Sequence, residues 1–194
     1  MTREMEGASA LLKTNGAESI AHPGGTLFAH LHRTAELLAA WNAPEALVLA
    51  GLCHATYGTD GFDRSLLDLS ERAQLRSVIG PAAEDIVYFY ASCDRGFTYP
   101  NLGSGQFGFR DRFTGAVSIP ERDRLMQFME LTFANEIDVA RNSRSFAENI
   151  WPKVAALFRR CEPLVSSAAA AAFSSACDEI AQVAATSDSD THSE

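Results

Sequence analysis

Paired cysteines are missing from this chain. Cys53, Cys93, Cys161 and Cys177 are widely spaced and none belongs to a C-x-x-C pair, which removes a disulfide framework and a zinc knuckle from consideration. Positive charge is also scarce: 16 Lys and Arg stand against 25 Asp and Glu, for a formal net charge of -9. A phosphate backbone would be repelled by such a surface, so nucleic acid is not an expected partner. Long apolar runs are absent too. The longest uncharged one, around Ala46 to Ala55, contains His54 and extends about ten residues, half of the roughly 20 that a membrane span requires. No membrane partner is expected. The opening Met-Thr-Arg-Glu-Met-Glu-Gly carries two Glu and no apolar stretch of the secretory kind, so the expected location is cytoplasmic, with reduced thiols.

What is present suits a globular chain. With 194 residues, 46% hydrophobic and 21% charged, it has the composition and length for one domain around one core. Thr26 to Trp41 places Leu27, His30, Leu31, Thr34, Leu37, Leu38 and Trp41 at spacings of three and four, which is one helical face. Asn42 offers an N-cap and Pro44 a first-turn proline to a second helix, Glu45 to His54, apolar nearly all round and therefore buried. Ser70 caps a third helix that Gly80 stops, and Pro81 starts a fourth through Tyr90. Residues 94 to 119 interleave Gly96, Gly103, Gly105, Gly108 and Gly115 with aromatics, and their alternation around Thr114-Gly115 predicts a small hairpin. Helix resumes after Pro120 and holds Phe128, Asn135, Glu136 and Val139 on one side. The expected organisation is a polar leader over 1–20, a helical domain over 21–162, an alanine-rich helix over 163–185 and a disordered tail over 186–194. The expected fold class is all-α, a helical bundle with a small glycine-rich β-hairpin insertion.

His30 lies in the middle of an apolar face and His54 at the end of an apolar helix, so both should point inward and could meet. Buried imidazoles are kept neutral, hydrogen-bonded or bound to metal. With His22 beside a Pro-Gly-Gly loop, they outline a candidate site. Asn135 and Glu136, on the inner side of the long helix, need partners of their own, whereas Asp138 falls nearer its exposed face. Arg95, Arg110 and Arg112 could hold a substrate carboxylate or phosphate if the hairpin closes over the histidines. Phe97, Tyr99, Phe107 and Phe109 would then line a lid.

The stretch H-L-H-R-T-A-E-L-L-A-A-W from His30, followed by L-V-L-A-G-L-C-H-A from Leu47, resembles the HD-domain superfamily of helical metalloproteins. In that family a histidine, a His-Asp pair and a distant Asp supply ligands to one or two divalent metals. His30 and His54 match the two histidines. Ala55 replaces the paired Asp, and F-A-N-E-I-D, with Asn135, resembles the segment of the last one. Two carboxylate ligands are thus missing, which removes support for a dinuclear centre. The chain is also similar, over about residues 20 to 145, to bacterial HD-like proteins in which H-x-x-x-x-L-x-x-H-L leads to A-G-L-x-H-x-x-Y-G-T. That likeness adds Tyr57, Gly58, Thr59, Asn135 and Glu136 to the site.

The resemblance supports the fold and implies no defined reaction; the interior histidine pocket leads to the expectation of an HD-like enzyme acting on a small organic molecule by isomerisation, cyclisation, elimination or hydrolysis. In one version at most one divalent transition-metal ion is held by His22, His30 and His54, and Glu136 moves a proton. In the other, a histidine is the base and Tyr57 or Asn135 steadies an oxyanion. A non-catalytic small-molecule binding or regulatory protein on the same scaffold is the alternative, and its best argument is the lost carboxylates. A homodimer is compatible with either.

Overall fold

A computed structural model describes residues 2–103 and 107–190. Gly105 lies outside the described residues, as does the end of the expected tail, residues 191–194. The fold is all-α: nine α-helices, four short 3₁₀ turns and two short antiparallel ribbons account for the regular structure among the described residues.

The first helix, α1 (Arg3–Thr14), stands where a polar leader was expected. Thr2 caps it, and Ala8 and Leu12 are buried against the helices that follow. So few apolar side chains in a charged stretch suffice because their spacing puts them on one side. A tight ribbon of β1 (Ala21–His22) and β2 (Gly25–Thr26) then reverses the chain. Thr26 accepts from the amide of Ala29 and so starts α2 (Leu27–Ala40).

Asn42 does not cap the next helix. It adopts a left-handed φ of 57° and ends α2, a position that asparagine tolerates better than most residues. Pro44 leads into α3 (Glu45–Cys53), which packs against α1, α2 and α4 and also touches α6. This surrounding explains an apolar composition with no polar face. Gly51 lets α2 and α3 approach closely, because a Cβ there would stand 2.5 Å from Leu38 Cδ1.

A capping box between Asp68 and Glu71, in place of the expected Ser70 cap, precedes α4 (Arg72–Ala91). Gly80 breaks that helix at φ 79° and ψ 163°, a conformation open to glycine almost alone, so its two halves behave as the separate helices expected on either side of Gly80-Pro81. After the single turn α5 (Arg95–Thr98), the hairpin β3 (Phe109–Arg110) and β4 (Val117–Ser118) forms as the alternation predicts.

The long helix α6 (Arg122–Asn142) packs on α2, α3 and α4 on one side and on α8 (Trp151–Cys161) and α9 (Ser167–Asp190) on the other, with α7 (Arg144–Asn149) between. It is buried for most of its last four turns because partners cover it from both directions. Phe133 on α6, Phe158 on α8 and Phe173 on α9 join these layers. The last helix runs through residues 186–190, where a disordered tail was expected.

Candidate functional site

Three elements build the site. The inner face of α2 presents His30, the end of α3 presents His54, and the middle of α6 presents Asn135, Glu136 and Asp138. All five side chains are at most 9% exposed.

The ring of His30 is held at both nitrogens. Its Nδ1 lies 2.6 Å from Asp138 Oδ2, and its Nε2 lies 3.3 Å from His54 Nε2 and 3.1 Å from Asn135 Oδ1. His54 Nδ1 donates to the carbonyl of Gly51 at 2.8 Å, so its Nε2 carries a bare lone pair when the ring is neutral. Burial, and then the neighbouring His30, push His54 down to about 3, which keeps it neutral. The Asn135 amide is also oriented: its Nδ2 donates to Glu136 Oε1 at 3.1 Å, leaving Oδ1 to face His30.

Asp138 makes this arrangement possible and was not foreseen. It sits 3% exposed, not on the outer face of α6, because Arg33, one turn beyond His30 on α2, reaches it as well. Arg33 Nε donates to Oδ1 at 2.6 Å and Nη2 to Oδ2 at 3.0 Å. Burial alone would raise the carboxyl, but hydrogen bonds from His30 and Arg33 outweigh it and hold Asp138 below the usual carboxylate range. It is therefore an anion, and Nδ1 of His30 carries a proton toward it.

With both Nδ1 atoms committed as donors, His30 Nε2 faces two acceptors at once, His54 Nε2 at 3.3 Å and Asn135 Oδ1 at 3.1 Å. Lone pairs so placed repel unless a proton or a cation lies between them. Two nitrogens on one ion at about 2.0–2.1 Å stand about 3.3–3.4 Å apart in tetrahedral geometry, close to the observed 3.3 Å between the imidazoles. The donor set fits a single transition-metal ion, with Asp138 and the Gly51 carbonyl holding the ligating rings from behind. Among the described residues no three His, Cys, Asp or Glu side chains form a group that could hold a metal; the further polar atom beside the two imidazoles is the Asn135 amide oxygen, 3.1 Å from His30 Nε2.

The expected ligand His22 is placed differently. Its ring stacks on that of His30 at 4.1 Å between centroids and 25° between planes, so it shows His30 a face and not a lone pair. Burial, followed by the proximity of His30, lowers it to about 4, and its buried Nδ1 has no hydrogen-bond partner.

His22, His30, His54, Thr59, Arg95, Asn135 and Glu136 line one cavity of about 190 Å³, joined by Phe62 and Phe146. Arg95 donates from Nη1 to Glu136 Oε1 at 3.1 Å and from Nη2 to the hydroxyl of Tyr90 at 3.2 Å. Residues 11–95 match the family model of a domain of unknown function, DUF6817. No curated protein and no solved structure matches. The stretch similar to DUF6817 is less than half of the chain; it contains His22, His30, Arg33, His54 and Arg95, and the α6 residues that complete the cluster lie beyond it.

Four residues expected at the site are elsewhere. Tyr57 donates to Glu84 at 3.1 Å, where Arg72 also binds at 2.6 Å; after α3 the chain turns, and this side chain faces α4. Phe109 is 2% exposed and stacks on Phe89 at 4.0 Å, so it anchors the hairpin to the core. Arg110 pairs with Asp94 at 3.1 Å and lies over Phe97. Arg112 donates to the carbonyl of Ala91. The hairpin is thus fastened to the end of α4 and does not fold over the histidines.

Proposed function

We propose that this pocket is the working site of an HD-like enzyme that acts on a small organic molecule, with His30, His54 and Asn135 holding one divalent transition-metal ion. The observation that carries the reading is that His30 Nε2 faces His54 Nε2 and Asn135 Oδ1 while the other end of each of the three side chains is tied by a hydrogen bond. An ion bound there supplies Lewis acidity to a substrate oxygen. Asp138 keeps the His30 tautomer and raises the basicity of its Nε2. Thr59 and Arg95, in the cavity wall, receive substrate oxygens, and Glu136 links Arg95 to the orienting amide of Asn135. Glu136, oriented by both donors, is the carboxylate at the edge of the site that takes or returns a proton.

A second reading rests on charge. Arg33 and Arg95 already neutralise Asp138 and Glu136, so the donor set offers a dication no spare negative charge. In that version the His30–Asp138 dyad is a metal-free acid–base pair, and a proton on His30 Nε2 is shared with His54 and Asn135.

Elemental analysis of protein purified without a histidine tag decides between them. One transition-metal ion per chain is the expected result, and two would overturn the mononuclear reading. Absence of metal, with titrated Zn²⁺ failing to bind, leaves the dyad. His54→Ala is expected to abolish ion uptake while the far-ultraviolet circular dichroism remains helical. A variant that melts much earlier but still binds the ion in its folded fraction would make His54 a packing residue.

A further inference from the structure

The histidine cavity is too small for most organic substrates. At about 190 Å³ it falls below the roughly 300–1,000 Å³ of ordinary ligand sites. Arg95, Glu136 and Phe146 form part of its wall and also part of the wall of a groove of about 390 Å³ between α5 and α8. The two spaces share these three side chains, and together they reach the usual size.

The chemistry of the groove differs from that of the histidine chamber. Val154 and Leu157 of α8, with Ile150 before them, make an apolar bed. Lys153 and Arg160 flank it and are exposed; they stand seven residues apart, about 10 Å along the helix. The acidic residue in the wall, Glu136, is already paired with Arg95. In a chain of net charge -9, this groove is a local concentration of positive charge around an apolar floor.

Unsatisfied polar atoms mark the same path. Among the described residues, three buried side-chain polar atoms have no hydrogen-bond partner, and two of them, His22 Nδ1 and Tyr99 Oη, belong to walls of these two spaces. Burial keeps the Tyr99 hydroxyl protonated, so it is a donor without an acceptor. Buried polar atoms are seldom left so.

We propose that the two spaces form one site for an elongated organic carboxylate: its polar, reactive end enters the histidine chamber, its hydrocarbon body lies on Val154 and Leu157, and its carboxylate is held by Lys153 and Arg160. This rests on the reading of the histidine pocket as the working site and names the class of molecule that the pocket takes. A carboxylate suits the two cations through charge-assisted hydrogen bonds, and the apolar floor favours a carbon chain over a sugar or a nucleotide.

Isothermal titration with octanoate and with 1-octanol tests the assignment. Octanoate should bind roughly tenfold or more tightly than octanol, the worth of one charge-assisted hydrogen bond. The double variant Lys153→Gln/Arg160→Gln, at exposed positions and giving up only the 3.3 Å hydrogen bond from Arg160 Nη2 to the Tyr99 carbonyl, should bring the two ligands to similar affinity. Val154→Trp should fill the groove and remove both. Octanoate that fails to bind, that binds no better than octanol, or that keeps its advantage in the double variant overturns the proposal, as does unchanged binding to Val154→Trp. His54→Ala should bind octanoate like the parent chain, because octanoate fills the groove alone. Octanoate binding to a protein whose histidines take no metal leaves this proposal standing and removes the metal reading; the reverse result does the opposite.

Discussion

Asp138 accepts from His30 and from Arg33 at once, so its charge serves the site and the joint between α2 and α6 together. Asp138→Asn keeps an acceptor of the same shape and loses the charge. Zn²⁺ affinity measured by titration is expected to fall about 10–100-fold, the usual loss when a ligand's supporting carboxylate is removed, with helical content retained. The histidines themselves were legible in the sequence because an imidazole on an apolar helical face is conspicuous. Asp138 was not, because its burial depends on Arg33, a residue that looks solvent-facing until α6 is packed on α2. The signal was a matched spacing: His30 and Arg33 are three apart, as are Asn135 and Asp138, and such pairs share a face. Tyr57 misled for the converse reason, since the turn after α3 carries it toward Glu84. The thiols give a second check at this scale. Burial pushes Cys53 and Cys93 up to about 12 and Cys161 up to about 11, whereas Cys177 is only partly buried. A thiol reagent at pH 8 is expected to modify Cys177 alone in the native protein and all four thiols after unfolding, counted by mass spectrometry.

Helices with a clear apolar stripe were readable from their spacing, and so were the hairpin and the break at Gly80. The first helix escaped because its stripe is narrow and its flanks are charged; only contact with α3 and α4 makes it part of the core. Leu12 is 1% exposed there. Leu12→Ala is expected to lower unfolding stability by about 2–5 kcal/mol, as for a buried leucine elsewhere, whereas a leader outside the core would lose nothing. Urea denaturation followed by circular dichroism measures the difference.

No helix among the described residues is long and apolar enough to cross a membrane. The molecule instead closes its core by laying α6 across α2, α3 and α4, beyond the stretch that resembles DUF6817. A chain ending at residue 95 would expose the faces of α2 and α3 that α6 covers, with His30 and His54 among them. It is expected to show no cooperative thermal transition by circular dichroism, and a sharp transition would show that the N-terminal helices are stable alone. The resemblance to HD-like proteins rests on a histidine pattern alone, and residue identity could not say which way the Asn135 amide on α6 points.

The bond between His30 and Asp138 joins positions 108 residues apart, and this has a consequence for the order of events during synthesis. Both imidazoles leave the ribosome well before Asn135 and Asp138, by several seconds at about 5–20 residues per second. In that interval the growing chain has two histidines with neither the anchoring carboxylate nor the third donor. A ligand that needs all of these groups is therefore held only once α6 has been made, and the chain up to that point has no finished site.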